Sequence, residues 1–176
     1  ARHAVINIDD PHGVRLAADT QLPTTTYSTR GDQANWRAVN LRPNRLGSDL
    51  TLVGPDGSET EMTVPLPGAF NVSNAVAAVV ALVSQGFDLA QLVAEIATLA
   101  GVPGRMERVE AGQQFTVVVD YAHKPEAIEA VLTALRPVTA GRLIVVLGAG
   151  GDRDRGKRPI MGEVAAKLAD VLIVTD

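Results

Sequence analysis

The chain has 176 residues, 46% of them hydrophobic and 20% charged, with a formal net charge of −4 and no cysteine. That balance suits a globular protein that buries a core, as one ordinary domain or two small ones. It excludes disulfides and cysteine-ligated metal, and the acidic balance with only three Phe, two Tyr and one Trp argues against a nucleic-acid partner.

No apolar run is long enough to span a bilayer, and Ala1-Arg2-His3-Ala4 lacks signal-peptide architecture. A cytoplasmic protein without membrane insertion is the expectation. In chain order, "HAVINIDD" is a short apolar run ending in acids and reads as a buried strand. "PHGVRLAAD" follows as a short helix with Pro11 in its first turn. "TTTYS" is a β-branched strand. "DLTLVGPDGSETEMTV" alternates on both sides of Gly54-Pro55-Asp56-Gly57, which is a hairpin with its turn chemistry written in. "NVSNAVAAVVALVSQG" is apolar nearly all round and reads as a buried helix, with Asn71 as its cap and Gly86 as its stop. "DLAQLVAEIATL" is an amphipathic helix.

Composition changes at "AGVPGRME", where two Gly and one Pro mark a domain boundary. Beyond it come the strand "FTVVVDYAHKP", the helix "PEAIEAVLTALRP", the strand "RLIVVLGAGG", the helix "RPIMGEVAAKLAD" with Pro159 near its start, and the strand "VLIVTD". This β-α-β-α-β order makes the protein α/β, with parallel strands and right-handed crossovers expected. Ligands gather beyond the carboxyl ends of such strands. Asp120, the Gly148 loop and Asp176 stand at those ends.

The loop "GAGGDRDRGKRP" approaches a phosphate loop, but Arg158 stands where the magnesium-binding Ser or Thr is required. It also fails the dinucleotide fingerprint, because Arg153 occupies the third glycine position. What remains is a glycine turn presenting Arg153, Arg155, Lys157 and Arg158. Guanidinium groups suit bidentate capture of carboxylate or phosphate. A solvated charge run before a helix fits these residues equally well.

Other positions carry the same choice. Asn71 and Asn74, at i and i+3, share a helix face; they are a cap and a surface amide, or paired amides for a planar ligand such as a purine. Asp120 caps the next turn or accepts from ribose hydroxyls. His123 is structural, or an acid–base or phosphate contact. Arg105 pairs with Glu107 or Glu110 on the surface, or serves a site. Asp9 and Asp10 read as a strand-end turn, since two adjacent carboxylates without further ligands are weak evidence for a metal.

"VINIDD", "LPGAFNVSNAVAA", "VPGRME", "VVVDYAHKPEAIE", "GAGGDRDRGKRPIMG" and "ADVLIVTD" occur in this order. Together they resemble the back half of the MurE-type enzymes of the Mur ligase family, over almost the whole chain. The poorest match is Gln21 to Asp49. The resemblance implies an ATP- and magnesium-dependent amide ligase of peptidoglycan synthesis. Its substrates would be UDP-N-acetylmuramoyl-L-alanyl-D-glutamate and a diamino acid, meso-diaminopimelate or L-lysine. ATP would phosphorylate the dipeptide carboxylate, and the amine would displace phosphate from the acyl phosphate.

The same resemblance implies that residues 1–99 are the end of a central ATPase domain. Residues 100–176 would be the first half of a Rossmann-like C-terminal domain. It carries Asn71 and Asn74 to the adenine, Arg105 to the nucleotide from between domains, and Asp120 to the ribose. It places His123, in the same "DYAH" motif, at the phosphate end as the catalytic candidate, and Arg153 on the carboxylate of the incoming amino acid. The family's phosphate loop, magnesium ligands, carbamylated Lys and UDP-binding domain have no counterpart here, and its Asp-Asn-Pro-Arg motif would follow Asp176. The chain is therefore expected to be a fragment. A folylpolyglutamate synthase and a non-catalytic module of the same descent are the alternatives. The 176-residue chain by itself is expected to show no amino-acid-dependent ATPase activity; phosphate release above background that requires both substrates would contradict this.

Overall fold

In the computed structural model, which describes residues 2–31, 33–44, 46–150 and 155–175, the chain divides into two compact units, Ala1–Ala100 and Gly101–Asp176. The first is a five-stranded sheet in the order β1-β2-β3-β4-β5. Its strands are β1 (Ala4–Asn7), β2 (Thr24–Ser28), β3 (Trp36–Pro43), β4 (Ser48–Val53) and β5 (Glu59–Val64), with helices α1 (Pro11–Asp19), α2 (Ala69–Val83) and α3 (Leu89–Ile96). The first three strands are parallel and the last two pairings antiparallel.

Strand β3 is not legible in the sequence. It begins alongside the end of β2, pairing only Tyr27 with Trp36 and Ser28 with Arg37. That small overlap lets a short loop replace the usual long crossover. Trp36 and Ala38 face the core, but Asn40 then adopts a left-handed φ of 53° and the register shifts between Val39 and Arg42. The bulge breaks the period-2 pattern that would mark a strand. The β4–β5 hairpin follows its turn chemistry. Gly57 sits at φ 80°, and Asp56 accepts from the Ser58 amide and hydroxyl at 3.0 and 2.6 Å.

Helix α2 buries Val72, Ala75, Val76, Val79 and Val80, the i, i+3, i+4, i+7, i+8 stripe of an amphipathic helix. They pack on Leu50, Leu52, Met62 and Val64 of the hairpin. Each fully buried Val or Leu contributes roughly 1.5–3 kcal/mol. The helix ends as expected: Gly86 has φ 90°, and the Phe87 amide returns to the Leu82 carbonyl at 3.2 Å. Its start differs from the expectation. Gly68 is the cap, at φ 104°, and Asn71 lies inside the first turn with its side chain donating to the Pro67 carbonyl at 2.8 Å.

Polar contacts at the end of β1 set the position of α1. Asp10 caps the helix by accepting from the amides of His12 and Gly13. A Cβ on Gly13 would lie 1.8 Å from the Asn7 carbonyl oxygen, so α1 crosses β1 at a distance only glycine permits. Asp9 accepts from the Ser28 hydroxyl at 2.6 Å and from the Thr29 amide and hydroxyl at 3.0 and 2.7 Å, tying β1 to the end of β2. These two acids form a strand-end turn.

The second unit holds β6 (Glu107–Arg108), β7 (Val118–Val119), α4 (Pro125–Leu135), β8 (Ile144–Gly148), α5 (Lys157–Leu168) and β9 (Val171–Thr175). Strands β8 and β9 are parallel, and α4 and α5 cover them through Ile128, Leu132, Met161 and Ala165, which cluster with Leu143 at the start of β8. The expected third parallel strand is corrected by the structure. The "FTVVVDYAHKP" segment contributes only two strand residues, and these pair antiparallel with β6. A cavity of about 250 Å³, lined by Val118, Asp120, Ile128, Leu132 and the residues of β8, lies where ladder pairing between β7 and β8 was expected. The end of β7 is engaged elsewhere, by the turn at Gly104–Met106. Among the described residues no helix is long and apolar enough to cross a membrane.

The Asp9 bonds make a pH prediction. Burial alone would raise this carboxyl, but the bonds from Ser28, Thr29 and Asn7 outweigh it and hold it below its ordinary value. A depressed carboxyl stabilises the fold above the unfolded value of about 3.9, and that contribution is lost as pH falls through the lower folded value. Asp9→Asn is therefore expected to lower the denaturation midpoint at pH 6, with the difference from the parent shrinking below about pH 4. A difference that stays constant down to pH 2 would show that the Asp9 charge plays no part.

Candidate functional site

The candidate residues fall in two places. In the first unit, Asn71 and Asn74 stand on the first turns of α2, with Asn71 half-buried and Asn74 exposed. The helix start is fixed by Ser73, whose hydroxyl accepts from the Asn7 amide at 2.9 Å and lies 3.4 Å from the Tyr27 hydroxyl. The Asn7 amide oxygen meanwhile accepts from the Asp9 N–H at 2.6 Å. One side chain thus joins the end of β1, the Asp9–Asp10 turn and the first turn of α2.

In the second unit, Arg105, Asp120 and His123 come together at the end of β7. Asp120 accepts from the Met106 amide at 2.9 Å through one carboxylate oxygen and from the Ala122 amide at 2.8 Å through the other. The Tyr121 amide donates to the Gly104 carbonyl at 2.8 Å. Residues 120 and 121 therefore hold the Gly104–Met106 turn from both ends. That turn is unusual for its sequence: Met106 has a left-handed φ of 49° and is only 1% exposed. A non-glycine residue stays in that region only where its surroundings over-determine it.

The side chains then follow. Arg105 places its guanidinium carbon 5.8 Å from the centroid of the Tyr121 ring. On the same ring lies His123, at 5.0 Å between centroids and 53° between planes. His123 Nδ1 is 3.0 Å from the Tyr121 carbonyl oxygen. A carbonyl only accepts, so Nδ1 carries the hydrogen and Nε2 is the ring's remaining functional nitrogen. The surface ion pair offered for Arg105 does not form among the described residues: Glu107 accepts from the Gly104 amide, and Glu110 pairs with Arg108.

Sequence reasoning missed two members of this cluster. Met106 looks like a loop residue but is buried. Tyr121 stands between two titratable residues that draw the eye first, and its signal is a lone aromatic in a polar strand-end motif. Arg153 lies outside the described residues, as does Asp176. Of the rest of that loop, Gly148 ends β8, while Lys157 and Arg158 begin α5.

Among the described residues no group of three His, Asp or Glu is placed to hold a metal ion. The cluster instead offers a cationic guanidinium, a carboxylate with unused lone pairs and an imidazole, on an exposed strand end. That chemistry suits an anionic ligand carrying hydroxyl groups.

Comparison with known proteins gives the context. Residues 1–82 match the Mur ligase middle domain and residues 104–176 the glutamate ligase domain of Mur ligases. The chain is 48% identical over 176 residues to the UDP-N-acetylmuramoyl-L-alanyl-D-glutamate–2,6-diaminopimelate ligase of Streptomyces coelicolor, covering 99% of this chain and 35% of that protein. A solved structure of a ligase with the same name is 38% identical, with a TM-score of 0.72 over 99% of this chain and 37% of that one. Mycobacterium tuberculosis folylpolyglutamate synthase, solved with ADP and AMPPCP, is 22% identical with a TM-score of 0.76 over 98% of this chain and 38% of that one, a likeness of fold alone. The chain thus spans about a third of the length of the curated relatives it matches.

The double role of the Asp120 carboxylate is directly measurable. Asp120→Ala removes both acceptors, and hydrogen bonds to a charged group contribute roughly 1.5–3 kcal/mol. The Met106 and Ala122 amides are expected to lose about ten- to hundredfold of their hydrogen-exchange protection, with α4 unaffected. Asp120→Asn keeps one acceptor oxygen and is expected to preserve one of the two. Unchanged protection in the Ala variant would remove Asp120 from the structural role.

Proposed function

The chain belongs to the Mur ligase family, and on that premise we propose that it is the part of a ligase that handles ATP and the incoming amino acid. The reaction is the addition of 2,6-diaminopimelate to UDP-N-acetylmuramoyl-L-alanyl-D-glutamate in peptidoglycan synthesis. The observation that carries this reading is 48% identity, over 99% of the chain, to a ligase so named. Residues 1–99 then end the central domain, and residues 100–176 begin the C-terminal one.

The chemistry couples ATP to amide formation. Transfer of the terminal phosphoryl group to the dipeptide carboxylate creates a leaving group. Attack by the amine forms the C–N bond and expels phosphate, and the amine's surplus proton is released. The residues of this chain bind and orient. Asp120 spends one lone pair of each oxygen on a backbone amide, and a carboxylate has about four acceptor positions. The outer positions suit ribose hydroxyls. Arg105 supplies positive charge for the phosphates, and His123 presents Nε2 at the phosphate end. Asn71 and Asn74 present amides suited to the edge of the adenine. The described residues supply no three-ligand cluster for magnesium, and none of them is assigned to it.

Arg153 is assigned from its place in "GGDRDRGKRP", as the clamp on the amino-acid carboxylate. Its test is geometric. Lys keeps the charge but loses the planar fork that holds a carboxylate through two parallel bonds. In the complete ligase, Arg153→Lys is expected to raise the KM for the diamino acid by roughly 10- to 150-fold, the scale of 1.5–3 kcal/mol, with little change for ATP. An exposed ion pair would lose only about 0–1 kcal/mol. Unchanged amino-acid kinetics would return this loop to a solvated charge run, and an equal loss for ATP would assign Arg153 to the other substrate.

A further inference from the structure

Tyr121 is 65% exposed, yet its ring lies beside two of the three side chains that the nucleotide reading relies on in this unit. The Arg105 guanidinium carbon lies 5.8 Å from its ring centroid, and the His123 ring lies at 5.0 Å. Its backbone is fixed on both sides: the amide donates to Gly104, and the carbonyl accepts from His123 Nδ1. The Cα–Cβ bond from which the ring swings is therefore held close to both neighbours. Among the described residues its hydroxyl has no hydrogen-bond partner, so the contacts are made by the ring.

An exposed Arg samples many rotamers, and ordering it costs entropy that any ligand must overcome. An aromatic face opposes that cost, because the ring quadrupole attracts a cation. For His123, ring contact and the backbone bond together limit rotation about the side chain and keep Nε2 directed away from the carbonyl.

We propose that Tyr121 is a positioning residue that holds Arg105 and His123 in one array at the end of β7, and that it acts through its ring and not its hydroxyl. This rests on the assignment of Arg105 to the nucleotide. The array exists before the nucleotide arrives, and it lowers the ordering cost of binding.

Two measurements test it. In the 176-residue chain, NMR is expected to show ring-current displacement of the His123 imidazole and Arg105 Nε–H signals. The displacement should survive Tyr121→Phe and disappear in Tyr121→Leu, while the Met106 amide keeps its shift as a sign that the turn is intact. Displacement absent from the parent, or retained in the Leu variant, would overturn the array.

In the complete ligase, Tyr121→Phe is expected to keep the parent KM for ATP. Tyr121→Leu is expected to raise it about two- to fivefold, the scale of an exposed cation–π contact, with the diamino-acid KM unchanged. Equal losses in Phe and Leu would mean that the hydroxyl acts, and equal losses for both substrates would mean a general structural defect; either overturns the proposal. Arg105→Ala separates this from the parent assignment. If Arg105→Ala raises the KM for ATP and Tyr121→Leu does not, only the role of Tyr121 falls. If Arg105→Ala leaves it unchanged, the nucleotide assignment of Arg105 falls instead.

Discussion

One carboxylate holds the second unit's candidate site in shape. Asp120 joins a residue fourteen positions upstream to one two positions downstream, through Met106 and Ala122. The strand it ends has two residues, too few to fix a turn by ladder bonds alone. A left-handed Met costs on the order of 1–3 kcal/mol. Two charge-assisted hydrogen bonds and burial of the Met106 side chain are of the right size to offset it. Arg105, whose backbone is pinned between Gly104 and Met106, has its direction set by that balance. On the proposed ribose assignment, a loss of activity on removing Asp120 would therefore combine a lost ligand contact with a loosened turn.

The first unit meets the same problem with a neutral group. Asn7 ends β1, and its amide serves Ser73 on α2 and Asp9 on the following turn. An amide has both a donor and an acceptor end, so it can join a hydroxyl to a backbone N–H where a carboxylate could only accept. Behind it, the valine stripe of α2 supplies the burial that keeps the helix on the sheet. Asn71 and Asn74 inherit their placement from these contacts.

Much of this was legible in the sequence, and the failures have specific causes. Strands with a β-branched run or alternation, such as "TTTYS" and both arms of the Gly54–Gly57 hairpin, appear where pattern and turn chemistry put them. Helices marked by Pro11, Pro125 and Gly86 appear with those residues at their ends, while the caps at Asp10 and Asp88 emerge only in the structure. Strand β3 was missed because its bulge at Asn40 destroys the alternation. "FTVVVDYAHKP" was misjudged because β-propensity reports a fit to a pleated surface and not to a particular partner. Asn71 was misplaced by three positions because glycine, with no side-chain oxygen, took the cap at Gly68. At the site, Asp120, Arg105 and His123 are visible in their motifs. Tyr121 and Met106 are not, since their roles depend on which segments meet, and sequence spacing does not encode that.

The charged glycine loop shows why a motif must be read with its helix. Lys157 and Arg158 form the first turn of α5, which has no acidic residue there and no side-chain cap at Gly156. The positive end of the helix dipole disfavours cations by roughly 0.3–1 kcal/mol each. A phosphate loop avoids this by lining the helix start with glycine amides and following its single Lys with a hydroxyl. Here the sequence has Arg158 in place of that hydroxyl and four charged residues, Asp152 to Arg155, before Gly156, so it offers side-chain charge where a phosphate loop offers backbone donors. An anion bound beside Lys157 and Arg158 would relieve the mismatch at the start of α5, and by linkage it would stabilise the helix by the free energy it gains there. On the proposed assignment of Arg153, a diamino acid carboxylate is small enough to be held by one guanidinium fork and would need no such row of amides.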